Sequence, residues 1–238
     1  PGMRCVINEP LLPADHDKFD ALQLQSQAID NLHALVPTIV TEQTGLGPGV
    51  LVVSQPTGSE TAWFADAKLG IFIHWGMYAA DGTSESWAFH NKTVPYAQYM
   101  SQMSRFTAEN YNPAAWAQLI KESGAKYCVI TTKHHDGLSL YNTQLKTPQA
   151  PKQKNWNPKF PLSTTYQTPA KRDLIAPLFA ELEKVGLKKG AYYSLLDWTS
   201  NDYPGFLKDS SRYQIKDDPQ RWANFLAFMH GQIAEINT

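Results

Sequence analysis

The chain has 238 residues, 42% of them hydrophobic, and its acidic and basic side chains nearly cancel to a formal charge of -1. That length can bury a sizeable core in one large domain or two small ones, and the composition is not that of a disordered chain. A near-zero charge supplies no field to draw the protein to phosphate backbones or anionic lipid, so neither nucleic acid nor a membrane is expected as a partner.

Seven Trp and eleven Tyr are many for this length, which points to a heavy aromatic core or to an aromatic-lined ligand pocket. Cys5 and Cys128 could form at most one disulfide, so the fold does not depend on covalent staples. Cys128, inside an apolar run, reads as a small buried hydrophobe. No stretch reaches the roughly 20 apolar residues of a membrane helix, and no basic-then-apolar signal opens the chain. Pro1-Gly2 before Met3 reads as a processing remnant, and an intracellular location is the expectation that follows.

In chain order, Phe19, Leu22, Ile29, Leu32 and Leu35 recur at helical spacing and predict an amphipathic helix over 19–36, ended before Pro37. Gly45, Gly47, Pro48, Gly49, Pro56 and Gly58 then mark turns around a short apolar run at 50–53, a candidate edge strand. From Ala62 the grammar changes. Apolar strands are predicted at 70–76, 127–132 and 190–195, apolar on both faces, and they alternate with helices at 112–123 and 172–185. A final helix over 219–236 gathers Trp222, Phe225, Leu226, Met229, Ile233 and Ile236 into one stripe. The Pro-, Lys- and Thr-rich stretch 146–168 reads as a long functional loop. Residues 1–60 are thus expected to form an N-terminal helix and a Gly/Pro-rich connection, and 61–238 an α/β domain built on a parallel sheet.

Parallel α/β folds bind ligands at the carboxyl ends of their strands. There the chain delivers His74-Trp75-Gly76, then Lys133-His134-His135-Asp136-Gly137, then Ser194, Asp197 and Trp198. Three histidines could ligate zinc, but neighbours on a strand point to opposite faces, so His134 and His135 would share an ion only where the strand has broken. No Gly-rich phosphate loop, nucleophile elbow or Cys-Xaa-Xaa-Cys pair is present. A rim of imidazoles and aromatic faces remains, suited to a neutral polyol such as a sugar.

Four motifs in order, WFADAKLGIFIHWG (63–76), YCVITTKHHDG (127–137), RDLI (172–175) and KKGAYYSLLDW (188–198), together resemble the α-L-fucosidases of glycoside hydrolase family 29. The resemblance covers about 63–238. It implies an incomplete (β/α)8 barrel, roughly its first three βα units, and a retaining hydrolase of terminal α-L-fucosyl linkages that needs no cofactor or metal. The substrate implied is a fucosylated carbohydrate. Carried over by position, His74, His134 and His135 are expected to bind sugar hydroxyls and Trp87 to line the pocket. Where the family often has Glu before that tryptophan, this chain has Ser86, with Glu85 one residue earlier. Strand alternation allows either Tyr192 or Tyr193 into the pocket, and Tyr193 is the one expected there.

Retaining glycosidases use two carboxyl groups about 5–5.5 Å apart. The resemblance implies that both the nucleophile and the acid/base residue lie beyond Thr238. Asp136, Asp197 and Glu85 are the candidate substitutes near the rim, and a non-catalytic fucose-binding or assembly module is the alternative. Open strand edges in a partial barrel further lead to an expected homo-oligomer.

Overall fold

The apolar runs fold as a parallel sheet in the computed structural model, which describes residues 4–5, 59–148, 156–205 and 213–237. Its strands are β1 (Arg4–Cys5), β2 (Gly70–Ile73), β3 (Tyr127–Lys133) and β4 (Lys188–Tyr193), in the order β1-β4-β3-β2. Ile71 pairs with Cys128, and Gly190 pairs with both Val129 and Arg4. The predicted helix at 19–36 and strand at 50–53 lie outside the described residues.

The chain separates into two compact units, Glu9–Lys68 and a larger one formed by Pro1–Asn8 with Leu69–Thr238. Within the smaller unit the described element is α1 (Ser59–Ala67), so the expected break after residue 60 falls inside a helix. Lys68 ends it with φ 58 and donates from Nζ to the Ala65 carbonyl at 2.8 Å.

In the larger unit the chain continues through a 3-10 turn (Met77–Ala80), α2 (Trp87–His90), α3 (Tyr96–Ser101) and a second 3-10 turn (Gln102–Arg105). Next come α4 (Pro113–Glu122), α5 (Thr164–Gln167), α6 (Ala176–Lys184) and α7 (Pro219–Ile236). Asn112 caps α4 by accepting from Ala115 N–H at 3.0 Å, with Pro113 in the first turn where its missing N–H costs nothing. The helix predicted from 172 starts at Ala176 instead. Asp173 Oδ1 accepts from Ile175 N–H and Ala176 N–H at 2.8 and 2.9 Å, holding the preceding residues in a turn. Asp218 caps α7 through Arg221 N–H, and that helix has the predicted bounds. Among the described residues no helix is long and apolar enough to cross a membrane.

Strand β3 is the centre of the core: six of its seven residues are buried, and Cys128 is free and has no exposure. Ala117 and Ile120 of α4 and Leu178, Phe179 and Leu182 of α6 are buried, with the two helices packed side by side. Strand β2 departs from the expectation of burial on both faces, because Phe72 is 52% exposed on the side that carries His74. Where β2 was expected to run to Gly76, Trp75 N–H instead donates to Thr131 Oγ1, and that hydroxyl donates to Ile73 O, so a side chain replaces the ladder.

Helix α7 buries Trp222, Phe225, Phe228, Met229 and Gln232, so a polar residue holds the place in the stripe beside Ile233. Gln232 accepts from Tyr193 OH at 2.7 Å and donates to Ser139 Oγ at 3.1 Å, which ties the helix to β4 and to the segment after β3.

Candidate functional site

Two local irregularities build the site at the carboxyl end of the sheet. Pairing of β3 with β4 shifts register between Thr131 and Lys133: Thr131 faces Tyr192 and Lys133 faces Tyr193. The extra residue, Thr132, donates its hydroxyl to Tyr192 O at 2.9 Å. Just beyond, Gly137 takes φ 80 and Asp136 Oδ1 accepts from Leu138 N–H at 2.9 Å, so the strand has become a turn where the two histidines stand.

That turn sets His134 and His135 in a tilted stack with ring centroids 4.0 Å apart. His74, from the end of β2, lies 4.8 Å from the His134 ring, and Tyr192 lies 6.1 Å from His134 and 6.3 Å from His74. On the other side Trp87, at the start of α2, lies 5.9 Å from His135 and 5.3 Å from Trp198, while Trp198 is 4.6 Å from His135. His90 completes this edge, 4.5 Å from Trp87 and 4.8 Å from Trp198. His74, Trp87, His134 and His135 are therefore neighbours, on elements more than sixty residues apart in sequence at the extremes.

Tyr193 is not among them. Its ring lies under Lys133 Nζ at 4.7 Å and its hydroxyl is bonded to Gln232 beneath α7. The tyrosine beside His74 and His134 is Tyr192, not the Tyr193 expected from sequence. Alternation along β4 puts Tyr192 on the histidine face and Tyr193 on the helix face.

Both central imidazoles are neutral. Burial pushes the pKa of His134 far below the ordinary value, and the nearby His135, His74 and Lys133 charges push it the same way. Burial, then Lys133, His74 and His90, lower His135 to about 3. His74 is also lowered by burial, with Glu85 acting in the opposite sense. Uncharged rings that can donate from one nitrogen and accept at the other suit hydroxyl groups better than anions. Among the described residues no group of three His, Cys, Asp or Glu side chains has the spacing to hold a metal ion.

The candidate carboxylates divide. Asp197 has no exposure; its Oδ2 lies 3.3 Å from Lys133 Nζ, and its Oδ1 accepts from Thr199 N–H and Ser200 N–H at 3.0 Å. Asp136 is 2% exposed, and besides Leu138 N–H it accepts from Tyr99 OH at 2.8 Å. Burial raises its pKa to about 6, against the opposing pull of these hydrogen bonds. Both groups hold loops in place and are enclosed by their partners. Glu85 is half-buried and accepts from Ser84 Oγ at 2.9 Å.

Four contributors escaped the sequence reading. Tyr78, in a 3-10 turn, lies 5.6 Å from His74 and 6.5 Å from His134. Tyr99 and His90 come from short helices with no periodic signal, and Ser86 was noticed only for the glutamate it replaces. Ser86 Oγ, fully buried, lies 2.7 Å from His134 Nδ1.

The chain is similar to proteins already known. Tissue alpha-L-fucosidase of Bos taurus is 34% identical over 163 residues, which is 62% of this chain and 31% of that protein. Alpha-L-fucosidase isoenzyme 1 from Paenibacillus thiaminolyticus matches over 74% of this chain and 39% of its own, at 34% identity and a TM-score of 0.57. An alpha-L-fucosidase of family GH29 from Bacteroides thetaiotaomicron matches over 82% of this chain and 41% of its own, at 27% identity and a TM-score of 0.60. The chain spans about a third of the length of the curated relatives it matches. Since the alpha-L-fucosidase family model matches residues 54–238, most of the sequence, the chain belongs to that family.

Proposed function

We propose that this chain supplies the fucose-binding side of a retaining α-L-fucosidase, whose whole protein hydrolyses terminal α-L-fucosyl linkages of glycans or glycoconjugates. The observation that carries this reading is the convergence of His74, His134 and Tyr192, with Trp87, His135 and Trp198 beside them, at the carboxyl ends of parallel strands. Neutral imidazoles bond hydroxyls, and aromatic faces stack against the C–H face and methyl group of the sugar. In this reading the sheet is part of a (β/α)8 barrel, and Phe72 on the exposed side of β2 belongs to its interior.

A second reading, binding without cleavage by this chain, is favoured by the internal partners of Asp136 and Asp197. A nucleophile must reach the anomeric carbon, and the oxygens of both carboxylates are engaged by internal partners. Of the three candidates Glu85 alone keeps appreciable exposure, and it sits near enough to His74 to influence its charge. Self-association over the open face around Phe72 is part of the proposal, and a monomer by multi-angle light scattering would remove it.

Calorimetric titration of fucose into the chain, beside release of nitrophenol from an aryl α-L-fucoside, tests the reading. Fucose binding abolished by His134→Ala supports the site, and binding without turnover selects the second form. Absence of any fucose binding by the folded chain overturns both.

A further inference from the structure

Each of the two adjacent histidines has a serine at its Nδ1. Ser194 Oγ lies 2.5 Å from His135 Nδ1 and 3.0 Å from Leu196 O, and either can take its one hydrogen. Ser86 Oγ already accepts Asp136 N–H at 3.0 Å. Its hydrogen has two candidate acceptors, His134 Nδ1 at 2.7 Å and Asp136 Oδ2 at 3.4 Å, and that carboxylate oxygen is already served by Tyr99 OH at 2.8 Å. Distance and prior occupancy both direct the Ser86 proton to His134.

We propose that Ser86 is a positioning residue: it donates to His134 Nδ1 and fixes that ring as the Nε2–H tautomer. The ring then offers a hydrogen-bond donor at Nε2 without taking a charge, and a sugar hydroxyl, which both donates and accepts, can receive it. An ionised carboxylate beside Nδ1 would instead accept a hydrogen and demand the other tautomer. This inference deepens the fucose-binding reading and rests on it for its purpose, though the tautomer itself is independent of any ligand.

The test is nitrogen-15 NMR of the ring nitrogens in the histidine-labelled chain at neutral pH, with His134→Gln and His135→Gln used to assign the two rings. The expected spectrum has His134 protonated at Nε2. Ser86→Ala should turn His134 into a tautomer mixture while Ser86→Thr, which keeps the hydroxyl, preserves the single form. Fucose affinity should fall roughly threefold to tenfold in Ser86→Ala and return in Ser86→Thr. A wild-type His134 protonated at Nδ1 overturns the proposal without needing any variant, and so do unchanged His134 signals in Ser86→Ala. An Nε2–H His134 in a chain that binds no fucose would remove the sugar reading and leave the role of Ser86 standing.

Discussion

Lys133 and Asp197 form an ion pair 3.3 Å long in which neither side chain has any exposure. The pair joins the end of β3 to the segment after β4, and Lys133 Nζ also reaches Leu196 O at 3.3 Å. A carboxylate enclosed in this way is a structural anchor for the turn that carries Trp198. Removing one partner strands the other charge away from water. Lys133→Met is therefore expected to cost about 3–5 kcal/mol in urea unfolding, and a loss under 1 kcal/mol would mean that the site is wetter than its geometry implies.

Tyrosines 192 and 193 differ by one position and should differ in kind. Tyr193→Phe removes a buried hydrogen bond to Gln232 and is expected to cost about 1 kcal/mol of stability with fucose affinity unchanged. Tyr192→Ala should reduce fucose affinity at least several-fold, since its ring stands with His74 and His134. Calorimetric titration and thermal unfolding of both variants separate the two roles. The reverse pattern would return Tyr193 to the pocket.

The adjacency of these two tyrosines shows what the sequence could and could not tell. Period-two alternation says that one faces the ligand, but which one depends on register, and the register of β4 against β3 is shifted at Thr132. Long apolar runs and the long final helix were legible because hydrophobic burial and its periodicity are written locally. The histidine cluster was legible too, because parallel strands deliver their last residues to one rim. Elements of four to six residues, such as α2 and α3, leave no periodic trace, so His90 and Tyr99 came into view only through contacts across tens of residues. The two-residue strand β1 is held by its pairing with β4 and carries no pattern of its own.

Gly137 follows the two histidines and Asp136 at φ 80, and a methyl group there would come within 2.9 Å of Asp197 Oδ1. Conformation and space both oppose a side chain. Gly137→Ala should cost about 1–3 kcal/mol and weaken fucose binding by displacing the imidazoles beside it. A variant with wild-type melting and affinity would show that the turn relaxes freely, which the Lys133–Asp197 anchor should prevent.

Acid should destabilise the fold because of its neutral histidines. His134 and His135 are held below their ordinary 6.5 by burial, so the unfolded chain binds protons that the folded chain refuses. Their contribution is complete above 6.5 and is lost as pH falls from there toward about 3 for His135. Asp136 acts in the other direction. With its pKa raised by burial from 3.8 to about 6, the folded state holds a proton that the unfolded state has released, so this group favours folding as pH falls through that window. Asp202, also raised by burial, adds to it, whereas His74 and His230, lowered by burial, add to the histidine side. Near pH 5 the two central histidines outweigh Asp136 by about one proton, a slope of about 1.4 kcal/mol per pH unit. Melting temperature should thus fall steadily as pH is lowered from about 7 to about 5, and fall more steeply in Asp136→Asn, which lacks the opposing proton. A flat or rising profile in the wild type would show that His134 and His135 titrate in the folded protein, and that the rim binds its ligand with charged rings.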